Sequence, residues 1–514
     1  MKRSYRNIKS IMLFSSVLML MNSCTKDFDD INTNPTAVED VSDASYLFAS
    51  MVDKGVHANY QRNVNLYADL YSQYFANTVD GFASPQYVYN DGWVGNQWKE
   101  FYTERLKEYE DIKTMTAGNE STQNMYNMAE IYIVYLWSRL IDYRGDVPYF
   151  DMIPGEVKTY DKQADVYPDL INRLSAATDA LVIDANQSSY TEGYDYLYNG
   201  DVAKWKKFGN SLRLRLAMRL VNIDPSFAKT QAEDAIADGV MTSNDDVAKV
   251  EEWSNGYYDY LDKMAVSWGN IRVSKTFTDY INSESSVVDP RAPLWLTTYN
   301  DGYEGVANGY ASPTAEDPAW QDKTTINVST TAYHDFVLNA MSCPIMFYSE
   351  VLFLQSEAAL RGWNAGGTYD DLYKQGIEAS MQYVGVTDQT QIDDYINGLN
   401  VDVATVSSNE AKLKQIITQK WVANFPNGIE AWADFRRTDY PDLTLPVDGV
   451  SGSATVTSGT YVKRISYPTN EHNTNASSMP ADLNTVATDR MDIRLWWDTA
   501  DTKTKTNGLM NSNF

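Results

Sequence analysis

The sequence predicts a mainly α protein: a scaffold of packed helical pairs, interrupted by one long loop-rich insertion of mixed character. Three observations carry that prediction. Apolar residues recur at three- and four-residue spacing through most of 41–240 and 343–441, the period of amphipathic helices. Gly, Pro and Asn fall between those periodic runs, so the helices are joined by short turns, as in an α-solenoid. Between 241 and 342 the helical period fades while aromatic residues multiply.

The chain opens with Lys2, Arg3, Arg6 and Lys9, then an apolar run from Ile11 to Met21 that ends at Asn22-Ser23-Cys24. This is the pattern of a secretory signal over 1–23, too short in its apolar part to span a bilayer. Ser23-Cys24 resembles a bacterial lipobox, with Met21 where Leu is usual. Lipidation at Cys24 would anchor the chain to a membrane, each buried methylene adding about 0.8 kcal/mol. The other cysteine, Cys343, then has no disulfide partner and reads as a buried small hydrophobe. The net charge is −27, and removing the four cations of 1–23, which has no acids, makes it −31. Such a surface disfavours nucleic acid and anionic membrane faces as partners.

After an acidic tether over 24–40, apolar positions at Tyr46, Met51, Val64, Leu66, Leu70 and Tyr74 predict one or two helices. The stretch 77–97 reads as a loop, rich in Asn, Asp and Gly, yet it carries Phe82, Tyr87, Tyr89 and Trp93. Helices follow over 98–116 (Trp98, Phe101, Leu106, Tyr109, Ile112) and 125–141 (Met125, Met128, Tyr132, Leu136, Leu140), forming a pair. Gly145 and Pro148 end the second. Pro168 is read as the first position of the next helix, with Leu170, Leu174, Ala177 and Leu181 behind it. Asp201 is a candidate N-cap for a helix carrying Trp205, Phe208, Leu212 and Leu216, on which Arg213, Arg215 and Arg219 lie among apolar positions.

The insertion over 241–342 holds Trp253, Tyr257, Tyr258, Tyr260, Trp268, Trp295, Tyr299, Tyr303, Tyr310 and Trp320, with a helix only near 273–281. A long loop-rich segment in a helical protein is more often functional than idle. Helices resume over 349–361, 369–384 and 409–425. A final segment, 442–514, reads as loops with a strand near 460–465 and a polar, frayed end. Between them lies the densest stretch of the chain, Gln419 to Pro441. Pro426-Asn427-Gly428 separates two helices there. Glu430 and Asp434, four residues apart, share a helical face with Arg436 and Arg437 beyond them. Two carboxylates so placed can serve as acid and base, or they can be an ion-paired helix end, the commoner case. Our reading is structural: Trp421, Phe425, Trp432 and Phe435 pack the last pair, and the charges tie it to its neighbours.

The ordered succession of Cys24, Asp27-Phe28-Asp29-Asp30-Ile31-Asn32-Thr33-Asn34-Pro35, Tyr143-Arg144-Gly145-Asp146-Val147-Pro148-Tyr149, Asp289-Pro290-Arg291, Glu357-Ala358-Ala359-Leu360-Arg361-Gly362, Glu430 to Thr438 and Arg464 to Glu471 resembles the SusD/RagB family of nutrient-binding lipoproteins of Bacteroidota. The resemblance spans essentially the whole chain and points to its SusD-like branch. It implies a tetratricopeptide-like scaffold capped by an irregular ligand-binding region, with no enzymatic activity and no cofactor. It also implies oligosaccharide, or less often peptide, as ligand and a TonB-dependent SusC-like transporter as partner. The place implied is the outer membrane, displayed at the cell surface, where similar acidic tags follow the lipidated cysteine.

Sugar rings present flat C–H faces to Trp and Tyr, and their hydroxyls need polar partners. By position, Tyr89, Trp93 and Asn96 in the loop 77–97, and Trp268 and Trp320 in the insertion, resemble the family's stacking platform. Trp98 fits a helix face and counts as core. Two other readings stand beside this one: a glycoside hydrolase using an acid pair such as Glu430 and Asp434, or a subunit that gates or stabilises its transporter and has little ligand affinity. The only histidines, His57, His334 and His472, are scattered and no stretch matches an EF-hand loop, so the sequence assigns neither a metal site nor a catalytic triad.

Overall fold

Helix-forming periodicity translates into helices nearly everywhere it is strong. The computed structural model describes residues 43–150, 159–184, 188–190, 193–250, 261, 263–327, 343–398, 400–452, 455–501 and 512–514. The signal, the tether with Cys24, and Trp253, Tyr257, Tyr258 and Tyr260 lie outside them. Helix α1 (Ala44–His57) leads into a π-helical run, Gln61–Asp69. Next come α2 (Asp91–Glu100), which continues through a π-helical turn into α3 (Leu106–Thr116), then α4 (Gln123–Arg144) and α5 (Gln163–Ala180). Helices α6 (Val202–Arg219) and α7 (Pro225–Gly239) complete the first half. After α8 (Lys275–Ser283) in the insertion, the second half has α9 (Tyr348–Leu360), α10 (Tyr369–Tyr383), α11 (Gln389–Ile396), α12 (Asn409–Ala423) and α13 (Gly428–Thr438). A short α14 (Thr469–Thr474) lies in the final segment.

Successive helices from α3 to α7 pack on one another in order, and α9, α10 and α12 form a second group to which α13 is joined. Contact between α6 and α9 unites the halves, so that residues 45–514 make one unit. Two small antiparallel ribbons stitch distant segments together. In one, β1 (Phe75–Asn77) pairs with β3 (Ile271–Val273), Phe75 opposite Val273. In the other, β2 (Ala248–Val250) pairs with β4 (Cys343–Met346). The insertion docks through aromatic rings: Phe277 of α8 stacks on Phe425 at 4.6 Å and meets Trp421 edge-on at 5.2 Å. Such pairs add about 0.5–1.5 kcal/mol each to the area they bury.

Motifs far apart in sequence meet here. The Arg464 guanidinium donates to the Arg144 carbonyl at 2.8 Å, the Ile465 N–H to the Tyr143 carbonyl at 2.7 Å, and the Tyr467 hydroxyl to the Asp146 carbonyl at 2.6 Å. Arg291 grips Asp289 through two nitrogens, at 2.9 and 2.6 Å, both side chains fully buried. Asp201 caps α6 by accepting from the Ala203 and Lys204 N–H groups.

Several expectations are corrected. Helix α5 begins five residues before Pro168, because the Asp146 carboxylate accepts from the Gln163 N–H at 2.9 Å and the Lys162 carbonyl from the Asp165 and Val166 N–H groups. Pro168 therefore forgoes one bond in the second turn. The last third of the 77–97 loop is helix α2, with the acidic Asp91 in its first turn and Trp98 packed into the core. Helices α7 and α11 escape the sequence reading: α7 buries only the small Ala228, Ala232 and Ala235, which give a weak period, although Asp224 and Pro225 signal its start. The expected strand near 460–465 is irregular chain, whose N–H groups go singly to the Met491 and Tyr143 carbonyls. Cys343 is only partly buried against the core. At the far end Asn513 is buried, its backbone and side-chain N–H groups bonded to Glu410, so residues 512–514 are held in place; 502–511 lie outside the described residues.

One buried acid has a measurable consequence. Asp69 ends the π-helical run against Gly428, which must be glycine because a Cβ there would lie 2.3 Å from the Asp69 Oδ1. Burial pushes the Asp69 carboxyl up to about 7, against hydrogen bonds from Asn65, Tyr60 and the Gly428 N–H. The folded chain thus keeps a proton that the unfolded chain loses near the ordinary value of 3.8, so this group lowers stability progressively as pH rises from about 4 to about 7. Asp69→Asn is expected to remove that dependence and to stabilise the protein at pH 8 by a few kcal/mol, on the order of 1.4 kcal/mol for each pH unit separating the folded and unfolded values. Urea midpoints of both proteins at pH 5 and pH 8 check this; an equal difference at the two pH values would overturn it.

Candidate functional site

The β1–β3 ribbon decides where the aromatic insertion meets the loop that follows β1. Just past the ribbon the Thr78 N–H donates to the Asn270 carbonyl at 2.9 Å, and the Thr78 hydroxyl donates to the Gly269 carbonyl. Gly269 takes a positive φ of 66°, and a Cβ placed there would lie 3.9 Å from the Trp320 ring, so that indole covers the glycine. Arg272 stands over the Trp320 ring at 5.1 Å. Next to Gly269, Trp268 is 47% exposed, with the Lys263 ammonium 5.1 Å from its ring.

The turn after Thr78 carries Asp80. Its carboxylate accepts from the Ser312 hydroxyl and the Thr314 N–H, both at 3.2 Å, and from the Thr314 hydroxyl. The bonds from Thr314 and Ser312 hold it below the usual carboxylate range. They also tether the insertion near Trp320 to the loop. Two residues on, Phe82 meets Trp93 of α2 edge-on at 5.2 Å.

The structure therefore brings Trp268 and Trp320 to Gly269, and joins Trp93 to the same loop through Phe82. Tyr89 and Asn96 are engaged elsewhere. The Tyr89 hydroxyl donates to Asp91 and to the Tyr467 carbonyl, both at 3.0 Å. The Asn96 amide donates to Glu100 at 3.1 Å, and Glu100 also accepts from Asn63. Asp80 and Thr314 are exposed polar groups of this surface that sequence reasoning missed, and nothing local in the sequence distinguishes them; Arg272 is buried, its guanidinium donating to the Ala265, Ile271 and Gln321 carbonyls. Flat rings beside hydroxyls, carboxylate and cations can stack on a ring face and exchange hydrogen bonds around its rim.

The other candidate acids are differently placed. Glu430 and Asp434 are buried, Glu430 bonded to Arg219 at 2.6 Å and to Lys420 at 3.1 Å, Asp434 to Lys420 at 2.7 Å. So enclosed, they cannot reach a glycosidic bond, and the hydrolase reading loses its acid pair. His472 is also buried, its Nε2 3.1 Å from Asp489. Among the described residues no group of His, Cys, Asp and Glu is arranged to hold a metal ion, and no helix is long and apolar enough to cross a membrane.

A family model, SusD-like and described as starch-binding, associating with the outer membrane, matches residues 35–468. The chain belongs to the SusD-like family. A chitin-binding SusD homologue from Flavobacterium johnsoniae is 29% identical, with a TM-score of 0.76 over 92% of this chain and 100% of its own. A SusD homologue from Parabacteroides distasonis is 25% identical, with a TM-score of 0.78 over 88% of this chain and 98% of its own. A SusD-like protein from Bacteroides thetaiotaomicron, 25% identical, reaches 0.76 over 89% and 99%. Among curated proteins no relative matches. The mainly helical fold of this SusD-like protein agrees with these likenesses.

Proposed function

We propose that this SusD-like protein binds oligosaccharide at the cell surface and delivers it to a TonB-dependent, SusC-like outer-membrane transporter, held there by a lipid on Cys24. The observation that carries the reading is the surface at Gly269, where the exposed Trp268 and the Trp320 ring lie beside the Asp80 turn. Family membership supports binding as the activity, and the family description's outer-membrane association supports the place. Chitin binding by the Flavobacterium johnsoniae relative makes chito-oligosaccharides the first ligands to try. The net charge of −27 favours neutral glycans over acidic ones.

Trp93, Trp268 and Trp320 supply the stacking rings of this site, and Tyr89 and Asn96, bonded to Tyr467 and Glu100, stand outside it. Titration calorimetry with chito-, malto- and cello-oligosaccharides tests the reading. Replacing both Trp93 and Trp320 by alanine is expected to weaken binding by at least about a hundredfold, as for two truncated hot-spot aromatics. Unchanged affinity would overturn the site, and hydrolysis of a panel glycan by the pure protein would overturn the function.

A further inference from the structure

Helix α2 has a second face that the site above does not use. At helical spacing Asp91, Gly95, Trp98 and Lys99 fall together, roughly opposite Trp93. That face borders an open cleft of about 500 Å³, closed on its other sides by Pro148 and by Pro468 and α14. The volume lies within the roughly 300–1,000 Å³ of small-molecule sites.

The floor is aromatic. Trp98 and Tyr102 lie 4.8 Å apart, and the Tyr102 hydroxyl is fixed by donation to the Pro148 carbonyl at 2.9 Å. Trp98 is further packed against Tyr160 and Tyr467, so its ring is held in place. At the wall stands Glu471, only 8% exposed. Its Oε2 accepts from the Tyr160 hydroxyl and the Asn475 amide, both at 2.7 Å, while its Oε1 takes no hydrogen bond among the described residues. Glu471 lines the cleft, and this oxygen can accept from a ligand donor there. Around the rim, the Lys99 ammonium and the Asn470 amide have no side-chain partner among the described residues and can donate.

The charges narrow the ligand class. Two carboxylates, Asp91 and Glu471, face one ammonium, which disfavours a uronate or a sulfated sugar. A cation is disfavoured as well, because the Asp91 Oδ1 already accepts from the Tyr89 hydroxyl and the Thr469 N–H. What remains is a neutral ring with an apolar face and both donors and acceptors at its edge. We infer that this cleft is a second saccharide subsite, taking a neutral pyranose with its C–H face against Tyr102 and the small part of Trp98 that reaches the cleft, one hydroxyl or acetamido N–H to Glu471 and hydroxyl oxygens to Lys99 and Asn470. The inference rests on the glycan reading above for its ligand class, and on the cleft alone for its place.

The test uses the soluble mature chain and chitotriose, with maltotriose and cellotriose as further probes, titrated by calorimetry. The Trp93→Ala/Trp320→Ala variant removes the first site and is expected to retain one weaker binding event per chain. Thr103→Trp, which puts an indole into the cleft from an exposed position, should abolish that residual event in the same background. On its own it should leave the tight event of the native site unchanged. Lys99→Ala/Asn470→Ala, which leaves the cleft open, should weaken the residual event about tenfold or more, as loss of two hydrogen bonds does. Loss of all binding in Trp93→Ala/Trp320→Ala, or residual binding indifferent to Thr103→Trp, overturns the second subsite and leaves the glycan reading standing. Failure of the native chain to bind any of the three probes overturns both.

Discussion

Glu430→Ala is expected to destabilise the protein by about 3–5 kcal/mol, the typical loss when one partner of a buried ion pair is removed. Glu430 is a node where α6, α12 and α13 meet. Its carboxylate holds Arg219 at 2.6 Å and Lys420 at 3.1 Å, with Arg215 at 3.6 Å. Burial pushes its carboxyl up, but Arg219, Lys420 and Arg215 outweigh that and hold it far below the usual carboxylate range. The chain of charges runs on: Arg215 grips Glu350 of α9 at 2.6 and 2.7 Å, Lys420 reaches Asp434 at 2.7 Å, and Arg437 grips Glu357 of α9 at 2.8 and 2.7 Å. Glu357 lies at about 2, where burial raises it and Arg437 and Arg361 more than compensate.

Deleting Glu430 takes a carboxylate from three buried cations: Arg215 keeps Glu350 and Lys420 keeps Asp434, but Arg219 is left with Asp142 at 3.4 Å and Asp434 at 3.9 Å. The double variant Glu430→Ala/Arg219→Met should regain part of the loss, since it removes the least compensated of these charges. Urea unfolding followed by circular dichroism measures both. A loss below about 1 kcal/mol for the single variant would mean that the network is a bystander. For Glu357 the folded value is depressed, so its contribution is present above the ordinary value of 4.5 and is lost as pH falls towards about 2.

Trp432→Ala is expected to cost about 3–5 kcal/mol as a large buried side chain cut to alanine, with glycan affinity unchanged. Trp432 is 1% exposed, 5.4 Å from Tyr71 and 5.7 Å from Tyr143, and the Arg436 guanidinium lies on its ring at 3.6 Å. That guanidinium in turn donates to the Asp142 and Lys463 carbonyls, so one indole orients the cation that ties α13 to α4 and to the final segment. None of these groups belongs to the surface at Gly269. Native stability with lost binding would return Gln419 to Pro441 to the status of a ligand site.

Much of the scaffold was legible because helix formation is read from nearest neighbours along the chain. The Leu136 and Leu140 face of α4, the Asp201 cap and the helix over 369–383 all follow from spacing within a few residues. Elements failed to show where the signal was weak or came from elsewhere. Helix α7 buries alanines, and α5 starts early because a carboxylate seventeen residues back accepts its first N–H. Helix α2 hides among Gly and Asn, and its packing, not its propensity, holds it.

The candidate site divides in the same way. Tryptophans gathered in loops stand out by composition. That Trp320 covers Gly269, that Asp80 ties the loop to Thr314, and that Tyr89 turns to Tyr467 depend on segments far apart in sequence.

By itself, the sequence determined the helical scaffold, the family motifs and the structural character of Gln419 to Pro441, because periodicity, capping and turn chemistry are local. Only the tertiary structure decided which charge neutralises which, which aromatics stay exposed, and that α2 borders a cleft on the face opposite Trp93. Those depend on long-range packing, where a carboxylate is either a reagent or a strut according to the cations that surround it.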